Sequence, residues 1–144
     1  MIFLEESMTE SEYHASEPPF YFDLLIKDDE RGRLISLEFS GLPFQVNRYF
    51  AISVKSTDFT RGSHAHKKCW QAFFAIHGSQ KIAIKNLSGV GIFDLDEGKL
   101  LVVPPHNWCE VSFDSEDSIM GVIASHPYDH EDYLFAEPPL QQLP

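Results

Sequence analysis

Two histidines separated by one residue, His64 and His66, stand in the segment Arg61-Gly62-Ser63-His64-Ala65-His66. On a β-strand residues i and i+2 face the same side, so both imidazoles would enter one cavity. An imidazole exchanges protons near neutral pH and also ligates transition metals, so the pair is equipped for acid–base work or for metal binding. Four cations lie near it in sequence: Arg48, Arg61, Lys67 and Lys68. The chain carries a net charge of −11, its 11 basic residues all fall between Lys27 and Lys99, and eight acids follow Lys99 with no Lys or Arg. An anionic ligand must therefore meet a local basic patch, and the histidine segment offers one. So acidic a chain is a poor partner for nucleic acid or an anionic membrane, both of which select excess Lys and Arg.

The elements that must hold these residues read as strands. Ile35, Leu37 and Phe39 alternate with Ser36 and Glu38. Phe50, Ile52 and Val54 alternate with Ala51, Ser53 and Lys55. Ile82 and Ile84 alternate with Lys81, Ala83 and Lys85, and Val111 and Phe113 with Glu110, Ser112 and Asp114. Period-two alternation is the mark of a strand with one buried face. Residues 70–76, 100–103 and 119–124 are apolar apart from Gln71 and read as more fully buried strands. Turn signals such as Gly41-Leu42-Pro43, His77-Gly78-Ser79, Asp96-Glu97-Gly98 and Pro104-Pro105 separate them. The most helix-like stretch is 128–135. Strands of this length and spacing predict an all-β sandwich or barrel.

Length sets the rest of the frame. The chain has 144 residues, 43% apolar and 23% charged, enough for one soluble domain with a real core. No apolar run approaches the roughly 18 residues that span a bilayer. Met1-Ile2-Phe3-Leu4-Glu5-Glu6 has no basic region and no long apolar stretch, so a secretory signal is not expected. Residues 1–19 are polar and acidic and read as an N-terminal arm, 20–136 as the barrel, and 137–144 as a C-terminal tail. The two cysteines, Cys69 and Cys109, are no disulfide framework and are expected to be free, in keeping with a cytoplasmic protein.

A longer pattern surrounds the histidines. Gly62 precedes them, Gln71 follows His66 after four residues, and Gly78 follows Gln71 after six. This resembles the first cupin motif, G…HxH-x4-E-x6-G, with Gln71 in place of the acid. Pro104-Pro105-His106-Asn107-Trp108-Cys109 is similar to the second, P-x-G-xx-H, with Cys109 in place of the last His. The site thus offers two imidazoles, a neutral amide and a thiol. An amide is a poor ligand for transition metals, whereas a thiolate binds zinc or copper well. Three readings stand at this point: a metal-free site with a working histidine, a metal cupin using His64, His66 and Cys109, and a pair of hydrogen-bonded core histidines.

The run Arg61-Gly62-Ser63-His64-Ala65-His66-Lys67-Lys68 closely resembles the RGxHAHK signature of the dTDP-sugar 3,4-ketoisomerase (WxcM-like) family. Arg31-Gly32-Arg33-Leu34, Leu42-Pro43-Phe44 with Arg48, Gln71, His77-Gly78-Ser79, Trp108, Ala124-Ser125, Tyr128-Asp129 and Asp132-Tyr133 are similar to its other motifs, over residues 20–134. The resemblance implies a single-domain cupin, an RmlC-like jelly-roll β-barrel. It implies a metal-independent isomerase with no cofactor that moves the keto group between C4 and C3 of a nucleotide-linked 4-keto-6-deoxy sugar in deoxysugar and polysaccharide biosynthesis. His64 and His66 would then be the acid–base residues. Arg61, Arg48, Lys68, Gln71, Tyr49, Cys109 and Trp108 would bind substrate, with Lys67 beside them. A homodimer, its N-terminal segments exchanged, is implied as well.

The sequence departs from the family at Cys109, where the family has His, and at Phe50 and Ala51, where it has two tyrosines. Tyr49 is adjacent, but a one-residue shift on a strand turns a side chain to the other face. The alternative to catalysis is therefore a sugar-nucleotide-binding cupin that has lost its chemistry.

Overall fold

The computed structural model describes residues 12–139, so positions 1–11 of the expected arm and 140–144 of the tail lie outside the described residues. Twelve strands follow in order: β1 (Phe20–Asp23), β2 (Leu25–Asp29), β3 (Gly32–Ser36), β4 (Arg48–Ile52), β5 (Arg61–His66), β6 (Gln71–His77), β7 (Gln80–Asn86), β8 (Gly89–Leu95), β9 (Lys99–Val103), β10 (Trp108–Phe113), β11 (Ile119–Ala124) and β12 (Tyr133–Leu134). They form two antiparallel five-stranded sheets, β1-β9-β6-β11-β4 and β12-β5-β10-β7-β8, and a separate β2-β3 hairpin. This is the all-β architecture that the alternation predicts and the cupin-type jelly roll that the resemblance implies. No helix among the described residues is long and apolar enough to cross a membrane.

The two sheets close over one core. Phe73, Ala75, Ile82, Ile84, Leu101, Val111, Met120 and Val122 interlock between them. A fully buried aliphatic or aromatic side chain is worth roughly 1.5–3 kcal/mol each, so this layer supplies most of the cohesion. A second apolar layer lies on the outer face of the first sheet. There Ala72, Leu100, Val102 and Ile123 are covered by Phe22, Leu24, Leu37, Phe44, Trp70 and Phe74. Segment 20–46 is thus wrapped across the outside of β9, β6 and β11. That wrapping explains why these three strands read as largely apolar runs: both of their faces are buried.

Two expectations are corrected. Ile35, Leu37 and Phe39 do not share a strand with one buried face. The strand ends at Ser36, Leu34 and Ile35 are exposed, and Phe39 opens a 3-10 turn, Phe39–Gly41. Stretch 128–135 is not a helix but a 3-10 turn, His130–Asp132, running into β12, which pairs with β5 through Tyr133↔His66 and Leu134↔Ala65. One strand was not marked by alternation: β8 has Gly89 and Gly91 at its start and lies at a sheet edge, where weak strand propensity suffices.

Candidate active site

The first determinant of the site is a distortion of β5. Gly62 adopts φ +98° and Ser63 φ +59°, and the β10–β5 register shifts between Cys109 and Glu110. Such a bulge re-aims the residues beside it. Gly62 is required here, because an added Cβ would lie 2.9 Å from the Cys109 carbonyl oxygen. Beyond the bulge, Ala65 packs outward against Tyr13, Trp108 and Leu134. His64 and His66 turn to the other side, their ring centroids 5.0 Å apart and nearly perpendicular.

His64 lines a cavity of about 250 Å³ at one end of the barrel. Its other walls include Arg48, Arg61, Gln71, Cys109 and Tyr133, and its floor is apolar, from Phe50, Ile52, Phe73, Val111, Met120 and Val122. His66 adjoins this cavity through two rings that line it, His64 and Tyr133, the latter with its centroid 4.6 Å away. A larger groove of about 390 Å³, lined by Asp94, Asp96 and Asp114, contains neither histidine and no comparable chemistry.

Each imidazole has a fixed tautomer. The Nδ1–H of His64 donates to the Gly62 carbonyl at 2.9 Å, and a carbonyl can only accept. The Nδ1–H of His66 donates to Asp132 Oδ2 at 2.9 Å. That carboxylate also accepts the backbone N–H groups of Lys68 at 2.8 Å and Cys69 at 3.3 Å, so it acts as acceptor throughout. His66 Nε2 is buried and has no hydrogen-bond partner among the described residues. Burial lowers the pKa of both rings. For His66, burial first and the neighbouring His64 second push it down to about 4 against the opposing pull of Asp132. For His64, burial outweighs the Gly62 carbonyl. Both rings are therefore neutral at pH 7, and the His66–Asp132 contact is a hydrogen bond from a neutral imidazole rather than an ion pair. Each ring keeps an Nε2 lone pair. Cys109 is the reverse case: burial pushes its thiol up to about 12, so at neutral pH it is not a base.

The two guanidinium groups supply the positive charge. Arg48 lies over the Phe50 ring at 4.5 Å and the Tyr128 ring at 5.5 Å, and Arg61 donates to the Ser53 carbonyl at 2.9 Å. Neither has a carboxylate partner among the described residues. Their charge is free for an anionic ligand.

Among the residues expected from sequence, the structure gathers Arg48, Arg61, His64, Gln71 and Cys109 around the cavity. Three others lie elsewhere. Tyr49 points out of the barrel, 58% exposed and stacked on Phe74, because alternation along β4 sends Arg48, Phe50 and Ile52 inward. Lys68 is exposed and contributes its backbone N–H to Asp132. Trp108 is buried on the outward side of β10, its indole N–H donating to the Phe135 carbonyl at 3.2 Å. Lys67 pairs with Glu12 at 3.5 Å. Asp132 and Tyr133 were visible only as part of the closing motif. Nothing in their spacing announces that β12 docks on β5 and brings them to the histidines. A trio of buried potential ligands, His66, Cys69 and Asp132, sits within 4.8 Å. Its carboxylate already serves three N–H donors, which accounts for the cluster without an ion.

The chain is similar in sequence and fold to known proteins. The chain is 33% identical over 108 residues, 74% of its length and 78% of the relative's, to the TDP-4-oxo-6-deoxy-alpha-D-glucose-3,4-oxoisomerase of Aneurinibacillus thermoaerophilus. QdtA, a sugar 3,4-ketoisomerase from Thermoanaerobacterium thermosaccharolyticum solved in complex with TDP, superposes with a TM-score of 0.77 at 31% identity, over 82% of this chain and 88% of that one. WlaRB, a TDP-quinovose 3,4-ketoisomerase from Campylobacter jejuni, superposes with a TM-score of 0.76 at 28% identity, over 82% and 92%. Residues 20–137 match the profile of one family across the whole barrel. With fold, cavity and sequence in agreement, the chain belongs to the FdtA family, described as WxcM-like, C-terminal.

Proposed function

We propose that this chain is a 3,4-ketoisomerase acting on a dTDP-linked 4-keto-6-deoxy sugar. The observation that carries the reading is the pair of neutral imidazoles, His64 and His66, beside a cavity that holds two unpaired guanidinium groups. The reaction breaks the C3–H bond, and its electron pair forms the C3=C4 double bond of an enediol while O4 gains negative charge and then a proton. Loss of the O3 proton makes the new C3 carbonyl, and C4 receives the proton. Atoms and electrons balance within the substrate, so no nicotinamide is required. His64 and His66 carry the protons. Arg48 and Arg61 hold the pyrophosphate or the developing oxyanion, where fixed cations in a water-poor site are most effective. Gln71 orients a sugar hydroxyl. The apolar floor from Phe50, Phe73 and Val122 suits the deoxygenated edge of the sugar.

Gln71 places a neutral amide where a metal site would have a carboxylate, and an amide is a poor ligand for transition metals, which favours this reading over a metal cupin. We also infer a homodimer, in which a second copy would cover some of the exposed apolar side chains Tyr21, Leu25, Leu34, Phe39 and Tyr49. A cytoplasmic setting fits two free buried thiols. Incubation with dTDP-4-keto-6-deoxyglucose in deuterated water tests the function. Deuterium entering the sugar ring with formation of the 3-keto product is the expected result. Tight binding without exchange would instead indicate a sugar-nucleotide-binding cupin.

A further inference from the structure

We propose that His66, Cys69 and Asp132 form a zinc site whose filling switches off the enzyme; the inhibition, though not the site, rests on the isomerase reading above. Each of the three residues offers one ligand atom, and these atoms lie within 4.8 Å of one another. His66 and Cys69 are buried, and the Asp132 side chain is 10% exposed. The donor set points to zinc. Imidazole, thiolate and carboxylate are its common protein ligands, with bonds of about 2.0–2.3 Å. Donors on a tetrahedron of that size stand roughly 3.3–3.8 Å apart, so shifts of about 1 Å close the trio on a metal. Three protein ligands leave the fourth position to water. This is not the cupin set: among the described residues, His64, His66 and Cys109 do not converge to the same distance.

Charge balance supports the assignment. A thiolate and a carboxylate together cancel the two charges of zinc, so the filled site is neutral and can stay buried. The hydrogen bonds that satisfy Asp132 without a metal also pre-place it. Its Oδ1 accepts the Lys68 N–H at 2.8 Å, and its carbonyl accepts the Lys67 N–H at 2.8 Å, so the carboxylate is tied to the turn that carries Cys69. On binding, zinc enters between Nδ1 of His66 and the carboxylate, in place of the 2.9 Å hydrogen bond. The ring proton shifts to Nε2, which has no hydrogen-bond partner among the described residues, and the thiol proton leaves to water. Filling the site therefore removes the lone pair with which His66 could accept a proton.

Cobalt(II) alone and zinc alone test the site on the full chain. Cobalt is expected to give a thiolate-to-metal charge-transfer band in the near ultraviolet, and zinc to abolish it by displacement. The band is expected to persist in Cys109→Ala and to vanish in Cys69→Ala. The zinc Kd is expected to rise at least about 100-fold in Cys69→Ala, since losing even an outer partner of a metal site costs about 10- to 100-fold. Zinc-loaded wild type is expected to lose turnover by at least about 100-fold and to regain it with a chelator. The Cys69 side chain is not part of the cavity wall, so Cys69→Ala is expected to keep the metal-free turnover and lose the zinc effect. No band in the wild type, or a band lost in Cys109→Ala, overturns the site. A band together with unchanged turnover at saturating zinc overturns the switch. The chain has two cysteines, so a band in Cys109→Ala belongs to Cys69 and decides the site even if Cys69→Ala does not fold. If the wild type shows no turnover, the isomerase reading fails while the band still reports the site.

Discussion

Cys109 lies directly opposite His64 across the β10–β5 pair, with their Cα atoms in register and both side chains on the cavity wall. Its burial makes the sulfur a small apolar surface, not a reactive group. The native protein is expected to leave Cys109 unmodified by a thiol reagent that labels it fully after unfolding. Because burial pushes the folded pKa up to about 12 from the ordinary 9.0, this thiol's contribution to stability is complete below pH 9 and declines as pH rises toward 12. Cys109→Ala is expected to cost about 1–2 kcal/mol at pH 7 and to flatten that alkaline decline. Denaturant unfolding at pH 8 and pH 10.5 measures both. An unchanged alkaline slope in the variant would contradict this account.

His66 sets the acid side. Burial holds its folded pKa at about 4, below the ordinary 6.5, so its contribution is complete above pH 6.5 and is lost as pH falls toward 4. The groups facing it are His64 and Arg48, which oppose protonation, and Asp132, which favours it. The loss amounts to about 3 kcal/mol over that window. His66→Gln is expected to remove it, giving a shallower fall in stability between pH 6.5 and 4. The kcat/KM of the wild type is expected to stay flat down to about pH 5, and an acid limb near pH 6.5 would contradict a buried neutral base.

The fold and half of the site were legible from the chain because both depend on local pattern. Period-two alternation located β4, β7 and β10, and largely apolar runs located β6, β9 and β11. The His-Ala-His spacing put two rings on one face. What was not legible depends on long-range docking. Asp132 reaches His66 across 66 positions of sequence, only because β12 pairs with β5. The same limit misplaced Trp108, whose strand turns it outward. Tyr49, expected to bind substrate, is instead sent outward by alternation, since Arg48 beside it points inward.

Gly62 tests how far the bulge governs the chemistry. A side chain at φ +98° is strained, and its Cβ would meet the Cys109 backbone carbonyl at 2.9 Å, where no flexible atom can give way. Gly62→Ala is expected to destabilise the fold by about 2 kcal/mol and to displace His64, whose Nδ1 is anchored to the same residue's carbonyl. Thermal unfolding checks the first effect, and a fall in kcat without loss of TDP binding checks the second. A variant as stable and as active as the wild type would show that the bulge is incidental.

Arg48 and Arg61 differ from the lysines in where they lie, and this yields the sharpest test of the binding assignment. Both guanidinium groups line the cavity without a carboxylate partner among the described residues, whereas Lys67 is paired with Glu12 and the Lys68 side chain is exposed outside the cavity. A charge-assisted hydrogen bond to phosphate is worth about 1.5–3 kcal/mol, which corresponds to roughly 10- to 100-fold in affinity. Arg48→Gln and Arg61→Gln are each expected to raise the Kd for TDP by at least about tenfold, and Lys68→Gln by less than about threefold. The wild-type Kd is expected to rise when salt is raised from about 50 to 500 mM, because screening shortens the reach of both charges. Titration calorimetry with TDP reads all four values. If Lys68→Gln weakens binding as much as Arg48→Gln, the phosphates lie at the rim and not in the cavity, and the sugar ring must then enter from a different direction.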